Sequence, residues 1–348
     1  MSSTVNQEVS DINVSLIAID LAKSTFQVCG VNRQGKELFN RAISRKKLTA
    51  LIAQYPGIPV AMEACGGSNY WARTFQQNDH EVLLIPPPHV KPFVKGNKND
   101  RNDAFAISEA ARRPKMRVVT PRSLEQTDMI LLHRIRERRV RARTALMNKM
   151  RGLLSEYGIV LPAGAATLRK ALPLLLEDAE NGLTMAARRY IQDLLNEWRD
   201  LDERIQADKH SVHVMARESP AACRLMKVRG VGDMIATAAL AKLGRGDQFK
   251  NARQFSACLG LVPREHSSGG VQKLGGISKR GDDYLRRMLI QGAWSVIHYA
   301  EGRQDRLSRW AMEVKERRGK HKAVVAVANK LARIIWALVR HETTYCPA

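Results

Sequence analysis

The chain has 348 residues, of which 44% are apolar, so it can bury a sizeable core and wholesale disorder is excluded. Its 57 Lys and Arg outnumber 34 Asp and Glu, a net charge of +23 that calls for a polyanionic partner, either nucleic acid or an anionic membrane surface. No apolar run approaches the roughly 18 residues that span a bilayer, residues 1–13 lack a signal peptide's apolar stretch, and five scattered cysteines with no CxxC pair exclude a zinc site or a disulfide framework.

An intracellular, reduced nucleic-acid protein is therefore the starting expectation. In chain order, residues 14–20 are nearly all apolar and end in Asp20, which reads as a strand. Residues 24–31 alternate loosely and run into the turn Asn32-Arg33-Gln34-Gly35. Residues 37–43 supply a third strand, and 46–55 have helical spacing. A short strand over 59–63 again ends in an acid, Glu63; 69–77 read as a helix, and 81–85 form a fifth strand stopped by Pro86-Pro87-Pro88. Three strands, a helix, a strand, a helix and a strand is the ribonuclease-H-like order. Periodicity alone gives a mixed α/β sheet over 12–121.

Residues 122–218 read as wholly helical. Ile191, Leu194, Trp198, Leu201, Ile205, Val212 and Met215 alternate gaps of three and four, with Asp208 as a polar intruder, which predicts a coiled-coil seam. An earlier stripe, Leu124, Leu131, Ile135, Ala142, Leu146, Met150, Leu153 and Tyr157, is its expected antiparallel partner. Pro162, Gly164 and an apolar patch broken by Pro173 fall in the connection between the two. From His133 to Arg151 there are eight Arg or Lys and one acid, Glu137. That is too skewed for ordinary salt-bridge decoration of a solvated face, and it predicts nucleic-acid contact through Arg136, Arg139 and Arg143. Residues 219–345 form a third region of short helices and glycine-rich turns, ending in the basic run Lys315-Glu316-Arg317-Arg318-Gly319-Lys320-His321-Lys322.

Four acids carry the chemistry. Asp20 and Glu63 end strands that can lie side by side in a mixed sheet. Asp100 and Asp103 open the next helical stretch three residues apart, so both can project from one face of its first turn. Four hard oxygen ligands without cysteine or histidine suit Mg²⁺, and paired ions of this kind serve phosphodiester chemistry. The structural alternative is an N-cap at Asp100 and loop acids elsewhere. Further on, Gly230 and Gly232 resemble the turn of a helix-hairpin-helix, exposing backbone N–H groups to a phosphate; an ordinary glycine turn is the plainer reading. Residues 263–281 hold Ser267 and Ser268, with four glycines between Ser268 and Ile277 and with Lys273, Lys279 and Arg280 around them, in a loop expected to be flexible. A serine hydroxyl among cations can act as a nucleophile, and chemistry alone does not prefer this over a phosphate-binding loop.

Together these residues resemble the DEDD transposases of the insertion-sequence-110 family, described as RNA-guided recombinases, over residues 16–340. The resemblance rests on Ala18-Ile19-Asp20, Ala61-Met62-Glu63-Ala64, the Lys98-Asn99-Asp100-Arg101-Asn102-Asp103-Ala104 run, Arg229-Gly230-Val231-Gly232, and the stretch from Leu259 through Pro263 and Ser268-Gly269 to Gly281. Gly275-Gly276-Ile277-Ser278-Lys279-Arg280-Gly281 is similar to the branch named for insertion sequence 1111.

The resemblance implies a RuvC-like N-terminal domain whose Asp20, Glu63, Asp100 and Asp103 are catalytic and bind Mg²⁺. It implies a coiled coil used in assembly, and a C-terminal domain whose serine attacks DNA to form a transient phosphoserine link. The family's serine lies five residues after the proline and precedes glycine, which selects Ser268 over Ser267. Also implied are donor and target DNA chosen by a structured non-coding guide RNA, and a homo-oligomer that grows from dimer to tetramer, with tetrad and serine drawn from different protomers. The implied location is the bacterial cytoplasm, on the nucleoid when DNA is bound. Aromatic residues are only 5% of the chain, which fits backbone and shape recognition. Arg229 stands where a hairpin motif often has proline. Two rivals remain: a RuvC-like nuclease of junction-resolvase type with no covalent intermediate, which the serine loop counts against, and a non-catalytic binder, which four intact acids count against.

Overall fold

The computed structural model describes residues 13–97 and 99–347; the polar N-terminal segment and Lys98 of the acidic run lie outside the described residues. The chain divides into two compact units, one up to Ser123 and one from Leu124 onward.

The first unit contains β1 (Leu16–Asp20), β2 (Thr25–Val31), β3 (Glu37–Ser44), α1 (Arg45–Ile52), β4 (Val60–Glu63), α2 (Ser68–Gln76), β5 (Val82–Ile85), the one-turn α3 (Pro87–Val90) and α4 (Asp100–Ala111). The sheet order is β3-β2-β1-β4-β5. β1–β2 and β2–β3 are antiparallel, and β1–β4 and β4–β5 are parallel. The mixed α/β architecture expected from the strand and helix order is present. β1 is nearly all apolar because both its faces are covered. Ile17 and Ile19 pack with Phe26, Leu48, Trp71 and Phe75 under α1 and α2. Leu16 and Ala18 pack with Cys29, Ala104 and Ile107 under α4. Small residues at Ala18, Ala61, Ala104 and Ala110 let α4 lie close on the sheet.

The second unit contains α5 (Leu124–Ser155), α6 (Ala165–Glu177), α7 (Met185–Glu218), α8 (Pro220–Met226), α9 (Asp233–Leu243), α10 (Ala252–Cys258), the antiparallel pair β6 (Pro263–Glu265) and β7 (Leu274–Ile277), α11 (Asp283–His298), α12 (Arg306–Arg318) and α13 (Lys320–Arg340). α5 and α7 run antiparallel: Arg143 pairs with Asp202 at 2.9 Å, and Arg139, one turn back, pairs with Asp208 further along α7. Of the expected seam, Ile191, Trp198, Ile205 and Val212 are buried. The intruder Asp208 is buried too, and its partner Arg139 accounts for it. Leu195 and Ala216, not Leu194 and Met215, complete the buried row.

On α5 the expected stripe is corrected. Leu124, Leu131, Ile135 and Tyr157 are exposed, and the buried positions are His133, Leu146, Met147, Met150 and Leu154. The connection is not only a loop, for α6 buries Leu168 and Leu172 and keeps Pro173 inside it. Two of the C-terminal helices are long: α11 has 16 residues and α13 has 21. α9 packs on both α5 and α7, so the helical stretch and the C-terminal core form one body.

His133 lies at that junction. Its Nδ1 is 2.9 Å from the Tyr284 hydroxyl and its Nε2 2.9 Å from Thr237 Oγ1. The Thr237 hydroxyl donates to the Asp233 carbonyl at 2.7 Å. Nε2–H therefore donates to Thr237 and Nδ1 accepts from Tyr284, a neutral imidazole with both nitrogens used. Burial, and secondarily Arg136, lowers its pKa to about 4. Among the described residues no helix is long and apolar enough to cross a membrane.

Candidate active site

β1 and β4 are parallel neighbours with Ile19 level with Met62. The next residues, Asp20 and Glu63, thus leave the sheet side by side where the buried runs end, and both are half-buried. α4 brings the other two acids. Its N-cap is Asn99, whose side chain accepts from the Asn102 N–H at 2.8 Å. Asn99 takes the capping duty the sequence also allowed for Asp100. Asp100 and Asp103 remain in the first turn, where the helix dipole favours them. Ala104, Ile107 and Ala110 seat α4 against β1, which carries that first turn to the end of the strand. One carboxylate oxygen from each of Asp20, Asp100 and Asp103 lies within 4.8 Å of the other two. Glu63, one strand over, is not part of this cluster.

A polar network the sequence reading missed ties α4 to the sheet. Gln27, opposite Asp20 on β2, donates to Asn40 Oδ1 at 2.7 Å. Asn40 Nδ2 donates to Glu37 Oε2 at 2.9 Å and to the Arg101 carbonyl at 3.0 Å, and Arg101 pairs with Glu37. The only sequence signal was a pair of polar residues on a strand otherwise half apolar. Cys65 was also missed. Its thiol is held above its ordinary range by burial first, then by the charges of Glu63 and Asp20.

Three carboxylates this close repel one another by about 1–3 kcal/mol per pair, between water-like and protein-surface screening. A divalent cation relieves that repulsion. The cluster offers only carboxylate oxygens, a donor set that suits a hard cation.

The serine segment is a β-hairpin, not the loose loop expected. The β6–β7 ladder extends to a bridge between Ser268 and Val271, with the Val271 N–H donating to the Ser268 carbonyl at 3.0 Å. Gly269 and Gly270 make the two-residue turn with φ of 57° and 76°, the left-handed pair such a tight hairpin requires. Ser267 and Ser268 are both exposed but differently engaged. Ser267 donates to Glu265 Oε1 at 2.7 Å and accepts from the Lys273 N–H at 3.3 Å. That bond, with one from Gln272, keeps the Glu265 carboxyl below its ordinary range. No hydrogen bond of the Ser268 hydroxyl is found among the described residues. Lys273, Lys279 and Arg280 are exposed around the hairpin, Lys279 in a left-handed conformation with φ of 54°. Buried Arg286 anchors its base, donating to the Leu259 carbonyl at 2.9 Å and the Arg280 carbonyl at 3.3 Å.

The glycine turn before α9 joins the core through Gly230. A Cβ there would sit 2.7 Å from the Gly292 carbonyl oxygen on α11, so Gly230 is first a packing residue. Gly232 is the N-cap of α9 and faces open space. Lys227, Arg229, Gly230 and Gly232 line a shallow depression of about 470 Å³. Arg229, where proline was the hairpin pattern, pairs with Asp305 at 3.2 Å.

The basic helix needs correction. Arg139 and Arg143 form ion pairs across α5–α7, to Asp208 and Asp202, and Arg136 is half-buried with its charge acting on Tyr284. Two of the three arginines chosen for nucleic acid, Arg139 and Arg143, thus hold helices together, because they share the face of α5 that meets α7. Among the described residues, the exposed cations on α5 for which no acidic partner is found are Arg134, Arg138 and Lys149.

A sheet of this order with acids gathered at the end of its first strand defines a DEDD-type transposase domain, and residues 17–159 match the model of that domain. Residues 222–308 match the model described as the transposase IS116/IS110/IS902 family. The chain belongs to this family of insertion-sequence transposases, DNA-cleaving and strand-transferring enzymes whose DEDD domain implies dependence on a divalent metal. It is 43% identical over 333 residues to the transposase for insertion sequence element IS1111A of Coxiella burnetii, covering 96% of this chain and 92% of that one. It is 44% identical to a probable family 20 transposase of Pseudomonas aeruginosa, covering 97% and 100%. The transposase for IS1328 of Yersinia enterocolitica is 39% identical, covering 96% and 99%.

Proposed function

We propose that the chain recombines DNA with Ser268 as nucleophile and with Mg²⁺ held by Asp20, Glu63, Asp100 and Asp103, at sites chosen by a structured guide RNA. The observation that carries this reading is the convergence of Asp20 with Asp100 and Asp103 from separate elements onto one cation-sized cluster. When bound, the ion neutralises charge on the scissile phosphate and on the leaving oxygen. The Ser268 hydroxyl attacks phosphorus and gives up its proton; the Oγ–P bond forms as the bond to one sugar oxygen breaks, and that oxygen takes a proton. A hydroxyl of another strand then attacks the same phosphorus and releases the serine, so no bond energy is lost to water. Lys273, Lys279 and Arg280 stabilise the charge that develops, and Gly232 offers backbone N–H groups to a neighbouring phosphate. Trapped on a denaturing gel, cleaved DNA should carry covalently attached protein. Cleavage with no such species would favour the resolvase-type nuclease.

The reading extends to a three-part division of labour: residues 12–121 for metal chemistry, 122–218 for assembly, and 219–345 for the serine step. Few aromatic side chains support selection of DNA by the guide RNA instead of base stacking on the protein. A dimer that pairs into a tetramer is supported by the apolar stripe Leu124, Leu131 and Ile135, exposed at spacings of seven and four on α5. Leu131→Asp with Ile135→Asp should lower the sedimentation coefficient and abolish recombination while leaving the melting temperature within a few degrees. Leu194 and Leu201 face the unit's own core, so acids there should unfold it instead. An unchanged oligomer in the Leu131/Ile135 variant would rule this stripe out as the interface.

A further inference from the structure

We propose that the α12–α13 hairpin grips the phosphate backbone of duplex DNA along a strip formed by Arg317, Arg318, Lys320, Lys322, Lys330 and Arg333. The inference deepens the transposase reading, on which it rests for the identity of the polyanion.

From Lys315 to Arg340 the only acid is Glu316. Several cations elsewhere in this unit meet acids: Arg139, Arg141, Arg143, Arg169, Arg229 and Arg287 all form ion pairs. Along the strip no ion pair is found among the described residues, and Arg317, Arg318, Lys320, Lys322 and Arg333 are exposed. The charge is also placed against local preference. Lys320, His321 and Lys322 occupy the first turn of α13, whose N-cap Gly319 supplies no side-chain bond. Cations at that end oppose the helix dipole, a local cost that a bound anion reverses.

Lys322, Lys330 and Arg333 follow at spacings of eight and three, one face of the helix. Lys330 Nζ sits 4.6 Å above the Trp310 ring, which fixes the ammonium beside Arg306 and Arg333. Burial and those two like charges hold its pKa below the ordinary lysine range, as in a cluster that lacks its counter-ion. Residues 320–333 of a helix span about 20 Å, some six steps of a duplex at 3.4 Å each.

The same geometry argues for backbone contact over base stacking. Trp294, the indole nearest the corner, is covered by Lys320 Nζ at 5.1 Å and met edge-on by His321 at 5.6 Å. A ring so covered offers no platform for an unpaired base.

The test replaces Arg317, Arg318, Lys322 and Arg333 together with Gln in the full chain. Affinity for a duplex DNA oligonucleotide is measured between 50 and 200 mM salt, beside single-stranded DNA and a folded RNA. Each lost phosphate contact should flatten the log–log salt slope by about 0.9, so the slope should fall by about 3–4. A control that replaces Arg189, Arg199, Arg204 and Lys209 on α7 removes the same charge and should change the slope by less than about one. Should the four-residue variant melt early, Arg317→Gln with Lys322→Gln should still flatten the slope by about two. Equal slopes for variant and wild type, an equal loss in the control, or a loss on RNA alone overturns the strip. A wild type that binds duplex DNA through the strip but forms no covalent, metal-dependent cleavage product would overturn the serine reading and leave the strip standing.

Discussion

Asp103→Asn is expected to abolish metal-dependent DNA cleavage, by roughly a thousandfold or more if its charge supports the transition state as electrostatic groups in other active sites do. The variant should remain folded, because Asn99 and not Asp103 caps α4, and the helix is seated by Ala104, Ile107 and Ala110. Without metal it should be no less stable than wild type. Removing one of three clustered charges removes two repulsive pairs, worth about 2 kcal/mol or more together even under water-like screening. Asp20→Asn should behave alike. Glu63→Gln should also stop cleavage but weaken metal binding less, since Glu63 lies outside the 4.8 Å cluster. Cleavage assays with Mg²⁺, paired with melting curves in chelator and in Mg²⁺, separate these effects. Wild-type cleavage by either aspartate variant would sink the metal-site assignment.

The serines should part company just as clearly. Ser268→Ala is expected to remove both strand cleavage and the covalent protein–DNA species while preserving DNA binding. Ser268 sits where the hairpin turns through Gly269 and Gly270, so its backbone can approach a phosphate without a Cβ in the way, and its hydroxyl is not tied down. Ser267 is committed to Glu265 and to the Lys273 N–H. Ser267→Ala should cost less, on the order of tenfold, through altered hairpin geometry. Ser268→Cys should keep a trace of activity, since a thiolate is a competent nucleophile. Peptide mapping of the trapped adduct decides the matter: a nucleotide on Ser267, paired with its Glu265 carboxylate, would reverse the assignment.

How much of this was legible in the sequence depends on the range of the interactions involved. The sheet was legible because its central strands, β1 and β4, are apolar runs with an acidic stop, so Asp20 and Glu63 could be read as strand ends. The α4 acids were legible from their spacing. What the spacing left open was who caps α4, a choice between neighbours that only the Asn99–Asn102 hydrogen bond decides. The Gln27–Asn40–Glu37–Arg101 network was invisible, since it joins residues across three elements without a motif. The basic helix misled for a related reason. Composition registers eight cations, but the partners that use up Arg139 and Arg143 lie on α7, and sequence gives no pairing register between two long helices. On α5 a heptad pattern picked Leu131 and Ile135, whereas packing against α9 and α11 rotated His133 inward. The serine hairpin was read as loose because glycines count as flexibility in a sequence. Here two of them make the tight turn and Arg286 secures the base.

The inward turn of His133 has a consequence in proton linkage. Unfolded, this imidazole titrates near 6.5; buried between Tyr284 and Thr237 it does so at about 4. Between those values the unfolded chain takes up a proton that the folded one refuses. Stability from this group is therefore intact above about pH 6.5 and falls as pH drops toward 4, by an amount on the order of 3 kcal/mol. Urea midpoints of wild type and of a His133→Gln variant, compared at pH 7.5 and pH 5, should draw together on acidification, because glutamine carries no proton-linked loss. The junction that joins the long helices to the serine-bearing core is thus an acid-labile contact, whose stabilising contribution is lost as the pH falls.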